Sequence, residues 1–184
     1  MTHPIAPQAA APARSRPITD NPPLAARTCA LLQATRAFVR LDAEDAYCVA
    51  SYMLDMSYAK GEVLFRAGDR QNANHLLLII EGEVTVDADG PLEQNAVPIV
   101  ALGAGSILGE MSLMDGAPRA ATCTAVSDVR AAGLGRRGLA LLIEEHPRVA
   151  AKLMVVLAQG MAERLRALDE QLRMMGQINA ALRP

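Results

Sequence analysis

The sequence predicts a mainly β domain with flanking helices. The expected core is a jelly-roll β-barrel of about eight strands, with helices before it and one long helix after it. Two patterns carry that expectation. From Met56 onward, short apolar runs alternate with glycine turns, as at Gly61-Glu62, Gly68-Asp69 and Glu81-Gly82-Glu83. From Pro147 onward the turns stop, and apolar residues recur at spacings of four and three.

Composition narrows the class. With 184 residues, one globular domain plus extensions is expected. Apolar residues make up 51% but aromatic ones only 3%, so the core must be aliphatic. The formal net charge is −2, and no Lys- or Arg-rich block is present. That argues against an electrostatic nucleic-acid footprint. Cys29, Cys48 and Cys123 are odd in number and widely spaced, which suggests neither a disulfide framework nor a zinc site. No apolar run reaches the length of a membrane span, so a cytoplasmic protein with no membrane contact is expected.

In chain order, residues 1–25 are rich in Pro and Ala and read as an extended or disordered tail. Residues 26–145 form the barrel domain with its flanking helices, and 146–184 a long C-terminal helix for dimerisation or pocket closure. Leu24, Cys29, Leu32 and Phe38 allow a first helix over 24–39. A second starts at the acidic run Asp42-Ala43-Glu44-Asp45 and extends to about Leu54, with Tyr47, Ala50, Met53 and Leu54 as its apolar side. His75 to Ile80 is a continuous apolar strand, and Val84 to Asp87 returns from it. A polar loop over 87–95 precedes a strand over 97–102. Residues 121–126 and 129–134 form another strand pair. Residues 138–145 form a helix that breaks at His146-Pro147.

The long helix carries a seam of Met161, Leu165, Leu168, Leu172, Met175 and Leu182, with Asn179 in one slot. This is a heptad pattern over about three repeats, and one polar seam residue can select a two-stranded state. A parallel homodimer is the expectation.

The chemistry concentrates in residues 103–122, Gly-Ala-Gly-Ser-Ile-Leu-Gly-Glu-Met-Ser-Leu-Met-Asp-Gly-Ala-Pro-Arg-Ala-Ala-Thr. Gly109 lets backbone approach a ligand closely. The turn after it leaves N–H groups that attract an anion. Arg119 adds a permanently charged fork matched to phosphate oxygens. Glu110, when ionised, is acceptor-only and suits a sugar hydroxyl. A nucleotide has both groups. Catalytic machinery is not evident: His3, His75 and His146 are scattered, and Ser112 has no base with an orienting partner. Asp87 and Asp89 read as a solvated turn, and no metal or cofactor is expected.

Gly109-Glu110-Met111-Ser112-Leu113, followed by Ala117-Pro118-Arg119-Ala120-Ala121-Thr122, resembles the phosphate-binding cassette of cyclic nucleotide-binding domains. Helices preceding a β-rich region match the same family. The resemblance implies a non-catalytic sensor of a cyclic nucleotide. It places the ribose 2′-hydroxyl on Glu110, and the cyclic phosphate on Arg119 with amides around Gly109 and Ala120. Leu108, Met111, Ser112 and Ala121 complete the expected site. A threonine after the arginine favours guanine in the family. Ala120 stands there, so cyclic AMP is expected over cyclic GMP. Family members cap the base from the long helix, which makes Arg164, Leu165, Leu168 and Asp169 the candidates. The bacterial activators add a helix-turn-helix after that helix. None follows here, so no direct DNA binding is expected, and the output would pass through an unidentified protein partner. A ligand-free interaction protein with a degenerate pocket, or a cyclic di-GMP receptor, are the alternatives.

Overall fold

A computed structural model describes residues 16–34, 37–71, 73–87 and 100–181. The expected loop over 88–95, the start of the strand over 97–102, residues 1–15 of the tail, and Leu182 lie outside the described residues. The elements in order are β1 (Arg16–Pro17), a 3₁₀ turn (Ile18–Asp20), α1 (Pro22–Gln33), α2 (Ala43–Ser51), β2 (Leu54–Tyr58) and β3 (Val63–Phe65). Then come β4 (His75–Glu81), β5 (Val84–Asp87), β6 (Val100–Leu102), β7 (Ile107–Leu108) and α3 (Glu110–Asp115). β8 (Thr122–Ala125), β9 (Val129–Gly135), α4 (Arg136–Glu145) and α5 (Pro147–Ala181) complete the chain.

Two antiparallel sheets face each other. One runs β1-β2-β9-β4-β7 and the other β3-β8-β5-β6. The long strand β4 explains how they share the molecule. Leu77 and Ile79 point between the sheets with Phe65, Val84, Leu108 and Cys123. Leu76, Leu78 and Ile80 point to the other side, against α1, α2, α4 and the first turns of α5. A strand buried on both faces has no polar positions to spare, hence its uninterrupted apolar run.

The helical layer is pinned at its starts. The Asn21 side chain caps α1, with Pro22 and Pro23 at the first positions, where no intrahelical donor is lost. Asp42 and Asp45 form a reciprocal capping box at α2. Lys152 of α5 bonds to Asp45 and reaches Asp42 at 3.6 Å, and Tyr52 bonds to Glu145. The Lys152 contacts clasp the start of the long helix to α2, and the Tyr52 bond ties the residue after α2 to the end of α4.

Several expectations are corrected. The tail is shorter than 1–25: Arg16–Pro17 pairs with β2, Ile18 is fully buried, and α1 begins at Pro22. A two-residue edge strand containing proline has no alternation to betray it. α1 stops at Gln33, so Phe38 falls beyond the helix and is 87% exposed. The second helix ends at Ser51, because Leu54–Tyr58 is drawn into the sheet by pairing with β9. Ala50 and Met53 are buried as expected, but Tyr47 and Leu54 are exposed.

Candidate functional site

Leu108 closes β7, and Gly109 then turns the chain into α3 with φ 75°. Two constraints make glycine necessary there. The left-handed backbone strains any other residue. A Cβ would also collide with the Arg119 guanidinium, and would meet the Phe65 ring at 3.0 Å and the His75 carbonyl at 3.1 Å. Glu110, the first residue of α3, is only 2% exposed.

Arg119 is held from three sides. Its Nη1 donates to the Gly109 carbonyl at 3.0 Å and its Nη2 to the His75 carbonyl at 2.8 Å. Its guanidinium carbon lies 3.6 Å from the centre of the Phe65 ring, in cation–π contact. The side chain is 4% exposed, and burial pushes its pKa down to about 10, so it remains charged at neutral pH. The carboxylates of Asp69 and Glu110 also act on its charge, and a buried, oriented guanidinium has the chemistry to meet an anion.

Glu110 meets the long helix. Arg164 of α5 donates to its carboxylate at 2.6 Å and to the Ile107 carbonyl at 3.2 Å. The resulting cavity has a volume of about 210 Å³. All eight cassette residues singled out in the sequence (Leu108, Gly109, Glu110, Met111, Ser112, Arg119, Ala120 and Ala121) line it together with Arg164. Sequence reading missed Phe65, Val86, Leu102 and Cys123, which complete the wall. Their only local signal was strand alternation, as in Thr122-Cys123-Thr124-Ala125, where Cys123 and Ala125 are buried. Among the described residues, no group of three or more His, Cys, Asp or Glu side chains is placed to hold a metal ion.

Two facing sheets with a glycine-turned short helix, a buried arginine beside it and a long helix that reaches the cavity through Arg164 form a specific arrangement. The family model described as the cyclic nucleotide-binding domain matches residues 55–146. The chain belongs to the cyclic nucleotide-binding domain family. A crystal structure of a cyclic nucleotide-binding domain from Methylobacillus flagellatus superposes with a TM-score of 0.75 at 30% identity, covering 82% of this chain and 83% of that one. The cyclic AMP receptor protein of Thermus thermophilus is 31% identical over 132 residues, which is 72% of this chain and 60% of the relative. A CRP-like cAMP-activated global transcriptional regulator of Mycobacterium tuberculosis is 29% identical over 105 residues, 56% of this chain and 45% of the relative. The chain therefore spans less than two thirds of the length of these two curated relatives. Among the described residues, no helix is long and apolar enough to cross a membrane.

Within this cyclic nucleotide-binding domain, the four expected cap residues separate. Only Arg164 reaches the cavity. Leu165 and Leu168 are exposed, and Asp169 faces a different groove with Arg166 and Arg173. The helix advances about 100° per residue, so Leu165 cannot share the direction of Arg164, and Leu168 lies one turn further along the helix. Leu165, Leu168, Leu172 and Met175 instead form an exposed apolar stripe. The side chain of Asn179 lies outside the described residues.

His75 lies behind the arginine, its ring 5.3 Å from that of Phe65. Burial first, and the Arg119 charge second, push its pKa down to about 4 from 6.5. The unfolded chain takes up this proton at higher pH than the folded one. Stability from neutral His75 is thus present above pH 6.5 and lost as pH falls towards 4. Urea titrations should show a loss of up to about 3 kcal/mol across that window, and His75→Gln should flatten it. An equally steep loss in the variant would exclude His75 as the cause.

Proposed function

We propose that this chain is a non-catalytic cyclic-nucleotide sensor, with cyclic AMP favoured over cyclic GMP. One observation carries the reading: the buried cation Arg119 and the buried carboxylate of Glu110 line the same cavity. In this reading the cyclic phosphate sits on Arg119 and the backbone around Gly109 and Ala120. The ribose 2′-hydroxyl donates to Glu110, and the base extends towards Arg164. Ala120 has no hydroxyl to meet the exocyclic amine of guanine, which supports adenine. The relatives described as a cyclic AMP receptor and a cAMP-activated regulator support the same ligand.

Signal leaves through α5. Because Arg164 joins that helix to Glu110, a ligand that engages Glu110 alters the hold on the helix. Moving a balance from mostly open to mostly closed takes about 5.5 kcal/mol of preference for one state. The exposed stripe from Leu165 to Met175 supports pairing with a second copy, and the output is a changed dimer surface offered to a protein partner in the cytoplasm.

Calorimetry against cyclic AMP, cyclic GMP and cyclic di-GMP, with sedimentation before and after ligand, tests this. Tightest binding to cyclic AMP by a dimer is expected. No heat with any member of the panel would overturn the sensor reading.

A further inference from the structure

Arg136, the first residue of α4, lies at the surface and lines none of the cavity described above. Its contacts nevertheless reach both halves of the anion site. Its side chain turns to the far end of α3, where Nη2 donates to the Leu113 carbonyl at 3.2 Å and to the Ser112 carbonyl at 3.5 Å. These carbonyls belong to the last turn of a six-residue helix. The Ser112 carbonyl also accepts from the Gly116 N–H at 3.0 Å, and a cation at the C-terminal end of a helix is favourable. The chain must leave α3 without obstructing that contact. Gly116 does so with φ 71°, and a Cβ on it would sit 3.2 Å from the Arg136 fork.

The backbone of the same residue makes the second connection. The Arg136 N–H donates to the Asn74 carbonyl at 2.8 Å. The next residue, His75, supplies the carbonyl that orients Arg119. One residue thus binds the segment that aims the buried arginine and also the end of the helix whose first residue is Glu110. A short helix has little cohesion of its own, so its position depends on what grips its ends.

We infer that Arg136 is a positioning residue: it sets the spacing between Arg119 and the Gly109–Glu110 backbone, and it ties that spacing to α4. α4 leads through His146 directly into α5, so the same grip links the cassette to the long helix. For its binding readout the inference rests on the sensor reading above. Its structural readout does not.

The test compares Arg136→Ala, Arg136→Lys and Arg137→Ala, the last removing a neighbouring exposed cation. In the absence of ligand, amide hydrogen exchange is measured over residues 109–115. Arg136→Ala should accelerate exchange there, about three- to tenfold, with little change in the global melting temperature. Arg136→Lys, which still brings a cation to the carbonyls, should restore most of the protection. Arg137→Ala should leave it unchanged. Affinity for cyclic AMP should follow the same order, about three- to tenfold weaker in Arg136→Ala and near wild type in the other two. Unaltered exchange in Arg136→Ala, or equal acceleration in Arg137→Ala, would overturn the inference whether or not the protein binds a nucleotide. A wild-type protein that binds no cyclic nucleotide would sink the sensor reading, and the exchange data would still decide the role of Arg136.

Discussion

Arg119→Ala is expected to weaken cyclic AMP binding by about 2–5 kcal/mol, the range for truncating one partner of a buried charged contact. At calorimetric concentrations that is close to abolition. The structure adds a second consequence. The carbonyls of Gly109 and His75 lose the donors that Arg119 supplies, although the Gly109 carbonyl keeps the Leu113 N–H at 3.3 Å, and Phe65 loses the cation stacked on its face. Each buried acceptor left without its donor costs about 1–3 kcal/mol, so the variant should also melt earlier. Arg119→Lys separates the two effects. An ammonium keeps the charge but cannot bond two carbonyls and an anion with one planar fork. It should recover part of the stability and little of the affinity. A folded Arg119→Ala protein with unchanged affinity would remove Arg119 from the site.

The second large effect is expected at the Glu110–Arg164 pair. Glu110 is buried within the cassette, whereas the Arg164 side chain is 44% exposed, so the two partners are not equivalent. Arg164→Ala leaves a buried carboxylate without its cation, and breaking a buried pair from one side is the costly direction. Half-exposure of Arg164 lets water screen part of that cost, so about 1–3 kcal/mol is expected. Glu110→Gln removes the charge that needs compensation, and the double variant should be less destabilised than the sum of the singles. Hydrogen exchange along α5 is the second readout. Both single variants should loosen the helix around residue 164, because Arg164 bonds the cassette through Glu110 and Ile107. Glu110→Gln should weaken cyclic AMP more than Arg164→Ala does, since the ribose acceptor is altered. Additive stabilities with no change along α5 would show that this pair does not hold the helix.

The cassette was legible because it is contiguous. Residues 108–121 fold back on themselves through a glycine turn, a short helix and a proline-led return, so the order of residues already encodes their proximity. The long helix was legible for a similar reason: its periodicity is local, and among the described residues it runs Pro147–Ala181, within the expected 146–184. The remaining wall was not. Phe65, Val86 and Cys123 come from β3, β5 and β8, strands made neighbours by antiparallel pairing across long stretches of chain. Periodicity says that such residues alternate inside and outside, but not which distant site they will meet. The second helix shows the same limit in reverse. Residues after Ser51 have helical spacing, yet Leu54–Tyr58 gains a full ladder with β9 and follows the sheet.

By itself, then, the sequence determined the jelly-roll class, the long helix and a contiguous run of residues that line one cavity. Those depend on short-range spacing, glycine turns and side-chain chemistry. Only the tertiary structure decided that Arg119 is aimed by the His75 carbonyl, that Arg164 rather than Leu165, Leu168 or Asp169 meets the cassette, and that Arg136 bonds both the Leu113 carbonyl of α3 and the Asn74 carbonyl before β4. The reason is physical. Each of these contacts joins elements far apart in the chain, and its direction is set by the rotation of a helix or the register of a strand, which packing alone selects.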